Sequence, residues 1–110
     1  MDIAESRKNG AVVLGLNGRV DASNASVLEQ RVLALLDAGE TRLVIDCAQL
    51  QYISSAGLRV LLVAAKRLSN SGKLALAALN NQIRDVFDIA GFSSIFQICR
   101  TQDDAVAAVQ

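Results

Sequence analysis

The chain has no histidine. That absence removes a Ser-His-Asp triad, a phosphohistidine relay and an imidazole zinc site. Proline is missing too, and there is no internal repeat or low-complexity tract, so nothing marks a linker. Charge of either sign is not in excess: 11 Lys and Arg balance 11 Asp and Glu. The cations are scattered, and Lys66-Arg67 is the one adjacent basic pair of the helical part. Nucleic-acid binding calls for a basic stripe, so no nucleic-acid partner is expected. The longest apolar run, around Val60 to Ala65, is far short of the ~20 residues that span a bilayer. The first residues show no basic segment leading into an apolar one. Hence the expectation is a cytoplasmic protein without direct membrane insertion. Cys47 and Cys99 lack CxxC spacing and are read as buried thiols, not as a disulfide or metal site.

What is present fits one domain, residues 1–110. A chain of this size can bury roughly two-thirds of its unfolded surface, enough for one core without staples. Apolar residues make up 52% of it, and its mean hydropathy is +0.33. A neutral, apolar-rich small domain suits contact with another protein.

The punctuation predicts the elements. Asn9-Gly10 between two extended runs, Ile3 to Lys8 and Ala11 to Leu16, predicts an antiparallel hairpin. Asn17-Gly18-Arg19-Val20-Asp21 is expected to break the second strand, with Asp21, Ser23 or Asn24 capping a helix. Ala25, Leu28, Val32, Leu35 and Leu36 recur at helical spacing up to Gly39. Thr41 to Cys47 reads as a buried strand, and Ala48 to Ile53 as a loop. Leu58, Leu61, Leu62, Ala65 and Leu68 form one face of a second helix, stopped by Asn70 to Gly72. Lys73 to Leu79 is a strand despite its alanines. A third helix follows Asn80 or Asn81, with Ile83, Val86, Phe87 and Ala90 inward and Gly91 closing it. Ile95 to Cys99 is a short strand. Thr101 starts a last helix, with Asp103 and Asp104 in its first turn and Ala105, Val106 and Val109 inward. The predicted class is α/β, in the order β-β-α-β-α-β-α-β-α. Its hairpin leads into a mixed, mostly parallel sheet of about five strands with about four helices.

The segment Tyr52-Ile53-Ser54-Ser55-Ala56-Gly57-Leu58 puts two hydroxyls where the second helix begins. With Ser54 as N-cap, its side chain accepts from an N–H two or three residues on. Ile53 and Leu58 then occupy the hydrophobic-staple positions. Ser55 falls at the first helical position, its hydroxyl free to face out. Gly57 costs about 1 kcal/mol against alanine there, which close approach by another group would explain. A phosphate on Ser55 would bring ~1.5–2 negative charges to a helix end that favours them, so it would alter binding and leave the fold intact.

These residues carry a family resemblance. Gly18-Arg19-Val20-Asp21, Leu43-Val44-Ile45-Asp46, Leu50 to Leu61 and Arg84 to Phe92 resemble a STAS domain of the bacterial anti-sigma factor antagonists. The resemblance implies a non-enzymatic partner-switching regulator. Its unphosphorylated form would bind an anti-sigma factor that is also a serine kinase. That kinase, holding ATP and Mg²⁺ itself, would phosphorylate Ser55 and release the chain. A PP2C-type serine phosphatase would restore it. This chain would need no cofactor or metal of its own. Asp21, Ser54, Ser55, Gly57, Leu58 and Arg59 correspond to the partner-binding positions. One departure is Ser54, where many members have aspartate: the cap is kept and a negative charge is lost. The alternative is a constitutive STAS docking subunit of a membrane transport or other regulatory complex, with no phospho-switch. An enzyme using Ser55 or Cys47 finds no histidine base, no Gly-x-Ser-x-Gly and no Walker loop.

Overall fold

The computed structural model describes residues 1–110. Its elements run β1 (Asp2–Lys8), β2 (Ala11–Val20), α1 (Ala25–Asp37), β3 (Arg42–Ile53), α2 (Ser55–Leu68), β4 (Lys73–Ala77), α3 (Asn81–Ile89), β5 (Gln97–Cys99) and α4 (Gln102–Ala108). The order matches the one predicted. The sheet is β1-β2-β3-β4-β5, with β1 antiparallel to β2 and every other pair parallel.

The hairpin forms as the Asn-Gly signal implies. Asn9 and Gly10 both have positive φ, 52° and 82°, the requirement of a type I′ turn. Lys8 then pairs with Ala11.

Two strands are longer than the sequence suggested. β2 does not break at Asn17 but continues to Val20, and the expected loop from Ala48 to Ile53 is the second half of β3. The two halves pair, from Asn17 with Gln49 to Val20 with Ile53. Register shifts fall between Gly15 and Asn17 and between Gly18 and Arg19. At each, β3 carries one residue more than β2, which is a β-bulge. Gly18 absorbs part of the bend at φ 98°. The bulges bring Cys47, Leu50 and Ile53, three residues apart, to the same buried face.

Smaller differences lie at β4, which ends at Ala77, and at β5, which starts at Gln97. Phe92–Ser94 forms a 3-10 turn, and of the strand expected from Ile95 to Cys99 only Gln97–Cys99 pairs. Phe96 stays off the strand and packs edge-on against Phe87, ring centroids 5.7 Å apart.

The sheet faces two cores. On one side Val12, Leu14, Leu16, Leu43, Ile45 and Leu76 pack against α1, α2 and α3. On the other, Ala11, Val13, Val44, Ala75 and Ala77 meet Ala105, Val106 and Val109 of the α4 end. The alanines of β4 now have a reason: they let α4 lie close. The buried face of α2 is Gly57, Leu58, Val60, Leu61, Ala64 and Leu68, while Leu62 and Ala65 sit at its border. In α3, Ile83 and Phe87 are buried, but Ala90 is exposed. No helix is long and apolar enough to cross a membrane.

Candidate functional site

The site is built where β2 and β3 end side by side. The N–H of Ser54 donates to the carbonyl of Val20 at 2.9 Å, tying the start of α2 to the end of β2. Ser54 is the N-cap: its Oγ accepts from Gly57 N–H at 3.3 Å. Leu58 N–H donates to the Ser54 carbonyl at 2.9 Å. Ile53 and Leu58 are both buried in the same core, as a staple requires. Of the first four N–H groups, those of Ser54 and Gly57 therefore have partners, and those of Ser55 and Ala56 have none within the chain. No acidic residue stands in that first turn.

Ser55 is exposed, and its hydroxyl makes no hydrogen bond within the chain. Arg59, one turn on, is exposed as well. Both line a groove of about 360 Å³ between α1 and α2. Ser26 and Glu29 of α1 form the opposite wall. No local signal marks these two, because nothing in the sequence fixes how α1 lies against α2.

Gly57 and Leu58 are buried and offer no surface to a partner. A Cβ on Gly57 would stand 2.7 Å from Ile53 Cγ1 and 2.8 Å from Val20 Cγ1. The close approach that favours glycine is therefore made by the domain's own strand ends. Both residues shape the turn from inside, which narrows the surface part of the expected set to Asp21, Ser54, Ser55 and Arg59.

Asp21 follows Val20 directly, so the Ser54–Val20 bond places it beside the α2 start. Its Oδ1 accepts from Ser23 Oγ at 2.5 Å and from Ser23 N–H at 2.9 Å. Those bonds, with Arg19 nearby, hold its carboxyl below the usual carboxylate range. Asp21 is thus an anion fixed in a turn. Asn24 completes that turn: its Oδ1 accepts from Asp21 N–H and its Nδ2 donates to the Arg19 carbonyl, both at 2.9 Å. Neither caps α1, whose N-cap position, Asn24, makes no side-chain cap bond.

A second exposed pair lies on the same strand ends. The Arg19 guanidinium sits 4.3 Å from the centroid of the Tyr52 ring, a cation–π contact between cross-strand partners. The contact is invisible in the sequence, where Tyr52 reads as part of a loop, because it depends on the pairing of β2 with β3.

The thiols are poor candidates for chemistry. Both are free. Burial pushes the Cys47 thiol up to about 12, and burial followed by the Asp104 charge raises Cys99.

The family model of the STAS domain matches residues 3–105. The chain belongs to the STAS family. Over 109 residues this STAS domain is 42% identical to the Bordetella bronchiseptica protein named anti-sigma factor antagonist BtrV, covering 98% of this chain and 94% of that protein. The relatives thus place it among the anti-sigma factor antagonists, as its motifs suggested. A crystal structure of an anti-sigma factor antagonist from Mycobacterium paratuberculosis superposes with a TM-score of 0.91 at 26% identity, over 98% of this chain and 92% of that one. The phosphorylated form of the Bacillus cell fate determinant SpoIIAA shares the fold at a TM-score of 0.77 and 19% identity, over 99% of this chain and 100% of that one.

Proposed function

We propose that this STAS domain is the phosphorylatable member of a partner switch. In its unmodified form it binds an anti-sigma factor that is also a serine kinase. The kinase, which holds ATP and Mg²⁺, transfers the γ-phosphoryl group to Ser55 Oγ; the hydroxyl proton leaves and ADP is formed. The modified domain is released. A PP2C-type phosphatase hydrolyses the phosphoserine, giving back the hydroxyl and inorganic phosphate.

One observation carries this reading: Ser55 is an exposed, unbonded hydroxyl, while its neighbour Ser54 is committed to the cap. The division of labour means Ser55 can be modified without dismantling the helix start. The relatedness to BtrV and the existence of a phosphorylated SpoIIAA support the same reading. Arg59 lines the same groove as the hydroxyl, and Asp21 and the Arg19–Tyr52 pair lie on the strand ends that lead to it, a set that suits a polar, protein-sized partner.

The test is incubation with an anti-sigma kinase and Mg-ATP, read by intact mass. The wild-type domain should gain about 80 Da, the mass of one phosphate, and Ser55→Ala should gain nothing. Equal phosphorylation of Ser55→Ala would overturn the assignment.

A further inference from the structure

Arg59 is the one cation lining the groove that Ser55 opens into. We propose that Arg59 is the intramolecular partner of the Ser55 phosphate, so that modification withdraws this guanidinium from the surface offered to a partner. The inference rests on the reading of Ser55 as the acceptor.

Ser55 and Arg59 stand at positions i and i+4 of α2. That spacing puts their Cβ atoms roughly 5–6 Å apart on one helix face. Phosphoserine and arginine side chains bridge such a gap, and the guanidinium fork matches phosphate oxygens two at a time. Arg59 is also unclaimed. Arg7 is paired with Glu40, Arg31 with Glu5 and Arg67 with Asp37, but Arg59 makes no ion pair or hydrogen bond in the chain. The other charged group lining the groove is Glu29 of α1. Asp21, at the end of β2, adds a second anion beside the α2 start. In the unmodified groove Glu29 and Arg59 balance. A phosphate at Ser55 adds ~1.5–2 negative charges to a groove whose one cation is Arg59, while Arg19, beside Asp21, is held on the Tyr52 ring. The cation that can move to it is Arg59.

Release then has two components. The phosphate places bulk and charge in the interface, and Arg59 turns back onto it. A carboxylate at position 55 is shorter and carries one charge, so it recruits Arg59 less well and copies the modified state incompletely.

The test uses the whole domain with phosphoserine encoded during translation at position 55, which needs no kinase. Phosphorus NMR follows the second ionisation of the phosphate in the wild type, in Arg59→Gln and in Arg59→Lys. The wild-type phosphate should titrate about half a pH unit below that of Arg59→Gln. Arg59→Lys should recover part of the difference, and about 1 M salt should erase it. The side-chain nitrogen signal of Arg59 in the wild type should move with the same midpoint, a readout that no substitution can perturb. The proposal is overturned if Arg59→Gln titrates like the wild type and the Arg59 signal stays still. A kinase that leaves Ser55 unmodified would sink the proposed function and leave this measurement standing.

Discussion

Two helices of this domain start in the same way but differ in charge. The N-cap of α2, Ser54, accepts from the third residue on, Gly57; the N-cap of α4, Thr101, accepts likewise from Asp104 at 3.1 Å. The first turn of α4 already holds Asp103 and Asp104, whereas the first turn of α2 holds no acid. Carboxylates in a first turn satisfy the helix dipole. At α4 that need is met permanently. At α2 it is left open beside an exposed serine, so a charge can arrive and depart. The difference teaches where a reversible modification fits: at a helix end that is sterically finished but electrostatically unfilled.

The inside of the two turns differs as sharply, and the largest effect is expected there. The third helical residue is Gly57 in α2 and Asp104 in α4. Gly57→Ala would drive a Cβ to within 2.7 Å of Ile53. Overpacking of this kind costs about 1–3 kcal/mol, partly offset by alanine's better helix propensity. Asp104→Ala, on an exposed position, should cost about 0.3–1 kcal/mol. Urea denaturation of both variants checks the order. Equal losses would mean that the α2 turn is no tighter than the α4 turn.

The caps themselves should be equivalent. Ser54→Ala and Thr101→Ala should each lose about 1 kcal/mol. Ser54→Asp keeps the cap and adds a charge, so its stability should match or exceed the wild type's. If Ser54→Asp melts like Ser54→Ala, the side chain is not acting as the cap.

A further pair of variants adds one carboxylate to each helix start. Ser55→Glu should be neutral or stabilising, by up to about 1 kcal/mol at low salt. Gln102→Glu places the same charge at the first position of α4, next to two aspartates and in place of the amide that donates to Asp46 Oδ2 at 2.7 Å, and should lose about 1 kcal/mol or more. Thermal melts at two salt concentrations resolve the pair. A gain at Gln102 and a loss at Ser55 would reverse the comparison.

The smallest stability effect near neutral pH is expected at the thiols, which separate the two cores. Cys47 is buried and should stay unlabelled by a thiol reagent in the native domain, while half-buried Cys99 reacts slowly. Burial, and then the neighbouring Asp46 charge, push the Cys47 thiol up to about 12, above the ordinary cysteine value near 9.0. Its protonated form is therefore favoured by folding, and stability should fall as pH rises from 9.0 toward 12. Native labelling of Cys47 at the rate of Cys99 would contradict the packing.

The α2 start was legible because its signals are local. A cap three residues before a buried glycine, with staple positions on either side, reads out of seven consecutive letters. The inner faces of α1 and α4 were legible for the same reason. The second halves of β2 and β3 were not. There the inward residues Cys47, Leu50 and Ile53 fall three apart, because two bulges each insert a residue and break the period of two. The break, together with Asn17-Gly18, reads as loop until the neighbouring strand is known. The Arg19–Tyr52 contact and the Glu29 wall of the groove stayed hidden with it. Each depends on pairing between segments distant in the chain.

The central claim is that charge at Ser55 changes binding and spares the fold. The most direct measurement compares the unmodified and Ser55-phosphorylated domains, titrating each with the proposed anti-sigma factor partner and melting each alone. The expected result is an affinity at least tenfold lower for the phosphorylated form, a loss of about 1.4 kcal/mol or more, with an undiminished melting temperature. Equal affinities, or a phosphorylated domain that unfolds, would contradict it.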